Sequence, residues 1–435
     1  MSKTSQKTWA IFYYQRYQKY NNIVIENHVT VKALNINSHN IKCGCIEMKV
    51  CMLTWEFPPR IVGGIARHCY GLSRALVKLG HEVHLVTLEF PGTPDFEDVE
   101  GVKVYRVKIE LGHPNFITWT FIFNHFMEKK VASLSRQENF DIIHTHDWLT
   151  TSASITTKNF LNKPFVCTVH STEIGRVQEL RSPDSYMIDG LEWWMMFEAK
   201  LVMLCSNSMK TEISDHFHLP SEKVNIIPNA IDASEYNRNI DKGAVRRRYG
   251  IGPNDKLVIY IGRLVPQKGV EHLIRAIPQI VRQHGEAKFL VSGDGWSRSH
   301  LEDMAASTWH GDKIRFLGFI SDSERIELLK SGDALVIPSI YEPFGIVALE
   351  GMAAGIPIVA SNVGGLSEII EHDRTGMLAY KEKPESIAWC VNKVLSDDGY
   401  SRWLTQNAKK KVDEVYSWES VAKKVTEVYE RACEW

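Results

Sequence analysis

The stretch YEPFGIVALEGMAAGIPIVAS, Tyr341 to Ser361, keeps two acids, Glu342 and Glu350, on either side of a Pro-Phe-Gly turn inside an otherwise apolar run. DALVIPS before it reads as a buried strand, Tyr341 to Gly345 as a turn, and IVALEGMAAG as a short helix starting near Gly345 and stopping at Gly355-Ile356-Pro357. That arrangement puts Glu342 in the loop and Glu350 on the first turns of the helix, with both carboxylates directed into one cleft. A carboxylate is a strong acceptor for paired hydroxyls, so one acid can hold two sugar hydroxyls and the other a ribose. The helix start adds free N–H groups and partial positive charge for phosphate or sugar oxygens. A helix-start charge and a capping glutamate would account for either acid singly, and less well for both.

Other candidates sit at strand ends. Arg263 and Lys268 in GRLVPQKG follow the run KLVIYI, and a guanidinium fork with an ammonium point charge suits a diphosphate; standing alone they would read as solvated surface cations. Gly63 and Gly64 in PPRIVGGIARH lie between a strand and a helix, where bare backbone can approach an anion, although such turns often need glycine for geometry and the full dinucleotide or P-loop pattern is missing. FDIIHTHDW ends a strand with His144, His146 and Asp147, and FVCTVHSTE ends another with His170. A zinc site needs three or four convergent ligands, which H-x-H spacing does not supply. These histidines read instead as donors to sugar hydroxyls or a substrate carbonyl, one of the first pair being free simply to satisfy neighbouring backbone.

Elements able to position these residues alternate along the chain. From Met48, short apolar runs (KVCMLTW, EVHLVTL, FDIIHTH, PFVCTVH, AKLVMLCSN, VNIIPNAID) are separated by helix-length amphipathic segments, the pattern of βαβ units on a parallel sheet. A second series follows: KLVIYIGRL, AKFLVSGDG, IRFLGFI, DALVIPS and PIVAS. The fold class expected is therefore α/β, with two Rossmann-like domains facing across a cleft lined by strand-end loops. The domains expected are 1–47, an extension that is untranslated or unpacked, with Met48 as initiator in the former case; 48–232, an N-terminal acceptor domain; 233–415, a C-terminal nucleotide-sugar domain; and 416–435, a helix with Ser417 as N-cap that packs back on one half. Residues 233–255 are polar and read as the connection.

The chain has 435 residues, 44% apolar content and a net charge of −1, which suits a large buried core and gives no support to binding driven by nucleic-acid phosphates. Its eight cysteines are scattered without a C-x-x-C pair or a Cys/His ligand spacing, as expected of reduced thiols in a cytoplasm. LEWWMMFEAKLVMLCS is broken by Glu192, Glu198 and Lys200, so nothing reads as a membrane span.

On GGIARH, HTHDW, SNSMK, IPNAID, GRLVPQKG, GDG, FLGFI and above all EPFGIVALEGMAAGIPIVAS followed by VGGLSEII, the chain from Met48 onward resembles the retaining nucleotide-sugar glycosyltransferases of family 4, with the two-Rossmann GT-B fold. The resemblance implies a hexosyltransferase in which Arg263 and Lys268 hold the donor diphosphate and Gly63 and Gly64 approach it from the first domain. Glu342, with the backbone of Phe344 and Gly345, would bind the transferred sugar, Glu350 the ribose, and His146 would contact the sugar near the reacting carbon. Gly318 and Phe319 would lie near the base. It also implies attack on the face the leaving group departs from, with the leaving phosphate accepting the acceptor's proton, no obligatory metal and no bound cofactor; no D-x-D sequence occurs. WEFPP, VGGI and HTHDW also look like bacterial-type glycogen and starch synthases, but those carry a lysine where this chain has Ile61, and EPCGL where it reads EPFGI. An α-glucan synthase is the alternative, with a nucleotide-sugar epimerase or a non-catalytic nucleotide-sugar-binding protein below it. The partners expected are the donor and a glycan or lipid-linked acceptor, the latter suggested only by the aromatic runs HPNFITWTFIFNHF and LEWWMMF and implying peripheral contact at the inner membrane surface.

Overall fold

Residues 47–434 are described by the computed structural model of the protein. The reading of the chain before Met48 as an extension lies almost wholly outside these residues. Eight strands form the first sheet: β1 (Lys49–Leu53), β2 (Glu82–Leu88), β3 (Phe96–Val99), β4 (Val102–Val107), β5 (Ile142–His146), β6 (Phe165–Val169), β7 (Leu201–Leu204) and β8 (Val224–Ile226). Their order is β3-β4-β2-β1-β5-β6-β7-β8, parallel throughout except for the β3–β4 hairpin. The second sheet holds β9 (Lys256–Ile261), β10 (Ala287–Ser292), β11 (Ile314–Gly318), β12 (Ala334–Ile337), β13 (Ile358–Ser361) and β14 (Met377–Ala379), all parallel in the order β11-β10-β9-β12-β13-β14. Central strands such as β5 (IIHTH), β7 (LVML) and β12 (ALVI) are buried at every residue, because helices cover both faces of a parallel sheet.

The apolar runs from Lys49 and Lys256 onward coincide with strands. The edge hairpin β3–β4 does not stand out in the sequence, since its outer strand FEDV has no buried residue and carries two acids, Glu97 and Asp98. The polar connection contains a helix, Lys242–Arg248, held to the second half by Arg246–Asp333 at 3.1 Å and Arg248–Glu327 at 2.8 Å.

The last helix, Trp418–Glu434, returns to the first half. Its buried face, Val421, Val425, Val428 and Tyr429, joins the core made by Val50, Met52, Leu72, Leu76 and Leu85. Each such side chain taken out of water contributes about 1.5–3 kcal/mol. Trp418 packs flat on Gly71, where a Cβ would lie 2.1 Å from the indole, so only glycine fits there. Buried polar contacts fix the register: His81 Nε2 meets Thr426 Oγ1 at 2.8 Å, and Tyr429 meets His144 Nδ1 at 2.7 Å.

The halves are stitched at one side of the cleft. Ser206 donates to the Pro343 carbonyl at 2.7 Å, and the Glu368 carboxylate accepts the N–H groups of Asn207 and Ser208 at 3.0 and 2.8 Å, capping the helix Asn207–Phe217 from the opposite half. Tyr341 reaches across to the short helix Glu173–Val177, where its ring fills the space a Cβ on Gly175 would need. No helix among the described residues is long and apolar enough to cross a membrane.

Candidate active site

The stretch Tyr341–Ser361 folds as its pattern indicates. Gly345 takes φ +114° and Gly355 φ +74°, left-handed conformations that favour glycine, and the helix runs between them as Ile346–Ala354. VGGLSEII packs behind the turn: the Glu342 carbonyl accepts the Gly365 N–H at 2.9 Å, and a Cβ on Gly364 would lie 2.0 Å from that carbonyl.

Glu342 faces a cavity of about 490 Å³ lined from both halves, including Gly63 and Gly64 on one side and Arg263, Lys268, Phe344 and Gly345 on the other. One carboxylate oxygen accepts from Lys268 Nζ at 2.7 Å and from Ser339 Oγ at 2.9 Å. Lys268 ends the tight turn Pro266–Lys268 just beyond β9; Arg263, exposed, stands on the loop before it. The helix Gly64–Lys78 begins at the opposite wall with glycine at its N-cap, so no side chain of its own caps it. Glu56 organises the approach to it, accepting the N–H groups of Val62 at 2.6 Å and Gly63 at 3.0 Å; burial raises its carboxyl above the usual carboxylate range.

Glu350 lies elsewhere. Its carboxylate is buried and ion-paired with the Arg325 guanidinium, and it lines a second cavity of about 890 Å³ with Arg67, Tyr70 and Tyr236. The expectation that both acids enter one cleft is corrected here. Ile346, one helical turn before Glu350, lines both cavities. It also lies 2.9 Å from where a Cβ on Gly64 would stand, and Arg67 pairs with Asp322 across the same seam at 2.6 Å.

His146 is fully buried. Its Nδ1 meets His170 Nε2 at 3.2 Å, and of the two His170 is the one that lines the cavity. His144, expected beside it, spends both ring nitrogens inward on Tyr429 and Thr168. Burial, reinforced by the other imidazoles, holds His68, His144 and His146 well below the ordinary imidazole value, and burial lowers His170 to about 3. All four are therefore neutral. Asp147 adopts φ 59°, ψ 173°, a strained backbone for a residue with a Cβ, and accepts the His170 N–H at 2.7 Å; burial pushes its carboxyl up to about 6. Gly318, which ends β11 at φ +73°, and exposed Phe319 just after it line neither cavity.

Several residues of the site carry no sequence signal that spacing could reveal. Glu56, Arg325 and the buried group Glu173, Arg176 and Glu192 become partners only through the fold: Glu192 accepts the Glu173 N–H at 2.9 Å on both oxygens and Arg176 Nη2 at 3.0 Å.

Comparison with known proteins agrees with this architecture. Residues 62–235 match the family model described as Glycosyltransferase Family 4, and residues 241–411 the one described as Glycosyl transferases group 1. An uncharacterised glycosyltransferase of Methanocaldococcus jannaschii is 45% identical over 390 residues, covering 89% of this chain and 99% of that protein. A glycogen synthase of Mycobacterium tuberculosis is 33% identical over 398 residues, 88% of this chain and 94% of its own length. Among solved structures, Anabaena HepE in complex with UDP-glucose superimposes with a TM-score of 0.72 at 19% identity, covering 88% of this chain and all of that one.

Proposed function

The chain belongs to the GT-B glycosyltransferases, enzymes that use nucleotide-sugar donors, and from that premise we propose that it is a family 4 hexosyltransferase that moves a hexosyl unit onto a hydroxyl acceptor with retention at the anomeric carbon. The observation that carries the reading is the Lys268–Glu342 pair on the cavity, with Arg263 lining the same wall and the start of the Gly64 helix opposite. A donor entering there exchanges partners with the pair. Its diphosphate takes Lys268 and Arg263, and the released Glu342 accepts sugar hydroxyls while Phe344 and Gly345 offer backbone. Cations and helix amides are aimed at the charge that grows on the leaving phosphate, which is where stabilisation accelerates the reaction. That phosphate then takes the acceptor's proton on the same face, so the bond to the new oxygen forms where the old one breaks.

Opening of the Gly64–Ile346 contact joins the two cavities, and the ribose then reaches Glu350; Gly318 and Phe319 stand by the base. His146, neutral and backed by His170, faces the sugar once the wall between them yields. The first half holds the acceptor and the second the nucleotide, with the connection at residues 233–255 and the final helix bracing the first half. No metal or bound cofactor is required by this scheme, and it runs in the cytoplasm. A second reading, α-glucan synthesis, is favoured by the 33% identity to a glycogen synthase over nearly the whole chain.

Thermal-shift screening against UDP, GDP and ADP and their sugars tests the donor site, since a ligand at a hundred times its dissociation constant stabilises by ~2.7 kcal/mol. A shift with one nucleotide series is expected. Proton NMR of the product then reads the anomeric configuration, and maltooligosaccharide acceptors distinguish the glucan reading. A folded protein unmoved by every nucleotide sugar overturns the proposal.

A further inference from the structure

Three imidazoles that the sequence scatters are brought together beneath the cavity: His68 on the first helix, His146 at the end of β5 and His170 just after β6. Each offers a ring nitrogen within 4.8 Å of the other two. The His146 Nδ1 to His170 Nε2 separation of 3.2 Å is close to the ~3.3 Å edge of a tetrahedron with metal–nitrogen bonds of ~2.0–2.1 Å. His68 meets His170 edge-on, centroids 4.6 Å apart, and His146 at a tilt, centroids 5.3 Å apart.

His68 is also prepared electronically. Its Nδ1 lies 2.7 Å from Asn229 Oδ1. A carbonyl oxygen only accepts, so Nδ1 carries the proton and Nε2 presents a bare lone pair, the arrangement that outer-shell carbonyls impose on metal-binding histidines. That Nε2 is buried without a hydrogen-bond partner. Orphaned polar atoms this deep are unusual in a folded interior. His170 lines the cavity, which leaves an open side for water or a fourth ligand. Three neutral nitrogens suit zinc and its neighbours rather than magnesium or calcium.

We propose that His68, His146 and His170 bind one divalent transition-metal ion of the zinc class, and that occupation of this site inhibits transfer by withdrawing His146 from the sugar. On binding, the proton lying between His146 and His170 moves to an outer ring nitrogen, so all three ligands remain neutral imidazoles. The inhibitory half rests on the place of His146 given above; the binding half does not. A second convergent set, Glu82, His84 and Glu138, already has Lys49 and Lys103 against its carboxylates and serves as the internal control.

Titration of Co²⁺ into the full chain, stripped of metal by a chelator, provides the test. The expected result is one tight site with the visible ligand-field bands of a four-coordinate nitrogen-rich centre, displaced by Zn²⁺. His68→Asn should weaken binding by about tenfold or more, with metal-free transfer retained, and His84→Asn should leave binding unchanged. A sulfur-to-cobalt charge-transfer band, a six-coordinate spectrum, or loss of binding in His84→Asn but not in His68→Asn overturns the site. Should His68→Asn not fold, X-ray absorption of the wild-type Zn²⁺ complex decides: a shell of imidazole nitrogens supports the site and a sulfur or carboxylate shell overturns it. A bound metal that leaves transfer untouched overturns the inhibitory half, and with it the position of His146 at the sugar.

Discussion

Lys268 and Glu342 in the second half meet at 2.7 Å with side chains 21% and 13% exposed, whereas Arg176 and Glu192 in the first half meet at 3.0 Å with the acid 1% exposed. Both pairs stand beside one cavity and the base is about equally exposed in each, Arg176 at 20%, but the acid of the second is closed to water. A pair near solvent is cheap to separate, since its Coulomb gain is small and screened. A buried one is costly to break, because the remaining charge stays out of water. The second half therefore keeps its charges exchangeable, as the proposed diphosphate site requires, while the first half holds its charges in the scaffold and presents the neutral imidazole of His170 to the cavity.

The largest effect that sharpens this contrast lies in catalysis. Lys268→Ala should lower kcat/KM by ~10²–10³, as removal of one donor to developing charge does elsewhere, while changing unfolding free energy by under ~1 kcal/mol. Arg176→Ala should do the reverse, costing about 3 kcal/mol in chemical denaturation, the lower end for a broken buried pair because Glu192 can take up a proton. Equal stability losses for the two variants would erase the distinction. Glu350→Ala is intermediate. It strands Arg325, which keeps Asp322 at 3.4 Å, so about 1–3 kcal/mol is lost, and nucleotide affinity measured by calorimetry should fall with it. An unchanged affinity would return Glu350 to a purely structural pairing.

The smallest effect is a pH slope. Burial pushes the Glu192 carboxyl up to about 8 despite Arg176 beside it. A folded-state value raised above the ordinary one means that the contribution is full below the usual glutamate range and is lost as pH rises through about 8, at up to ~1.4 kcal/mol per pH unit. Glu192→Gln should flatten that slope between about pH 5 and 8 in denaturant titrations. An identical slope in the variant would assign it to other groups.

Much of this molecule is legible in its sequence, for reasons that also mark where legibility stops. Parallel strands buried on both faces must be apolar runs, so β9, β10, β12 and β13 announce themselves, and the glycines at 345 and 355 bracket a helix because the backbone turns left-handed there. Lys268 and Glu342 lie far apart in the chain, yet each stands on the loop after a readable strand, so their meeting at the cavity follows from topology. The path of Glu350 does not. Its spacing from Glu342 is compatible with one cleft, and only the fold shows the carboxylate turned to Arg325 instead. The buried acids fare worst: Glu56, Glu173 and Glu192 look like ordinary solvated glutamates until the fold supplies the N–H groups they accept. His68 belongs to the same class, since nothing in GGIARH points to His146 and His170.

The central claim is that Glu342 serves the sugar while the cations serve the diphosphate, and Glu342→Gln tests it most directly. Transfer should fall by at least ~100-fold while affinity for the matching nucleoside diphosphate stays within about threefold, because the variant loses a hydroxyl acceptor and leaves Lys268 and Arg263 in place. Turnover close to that of the unaltered protein, or a nucleotide affinity that collapses in parallel with transfer, would contradict the account.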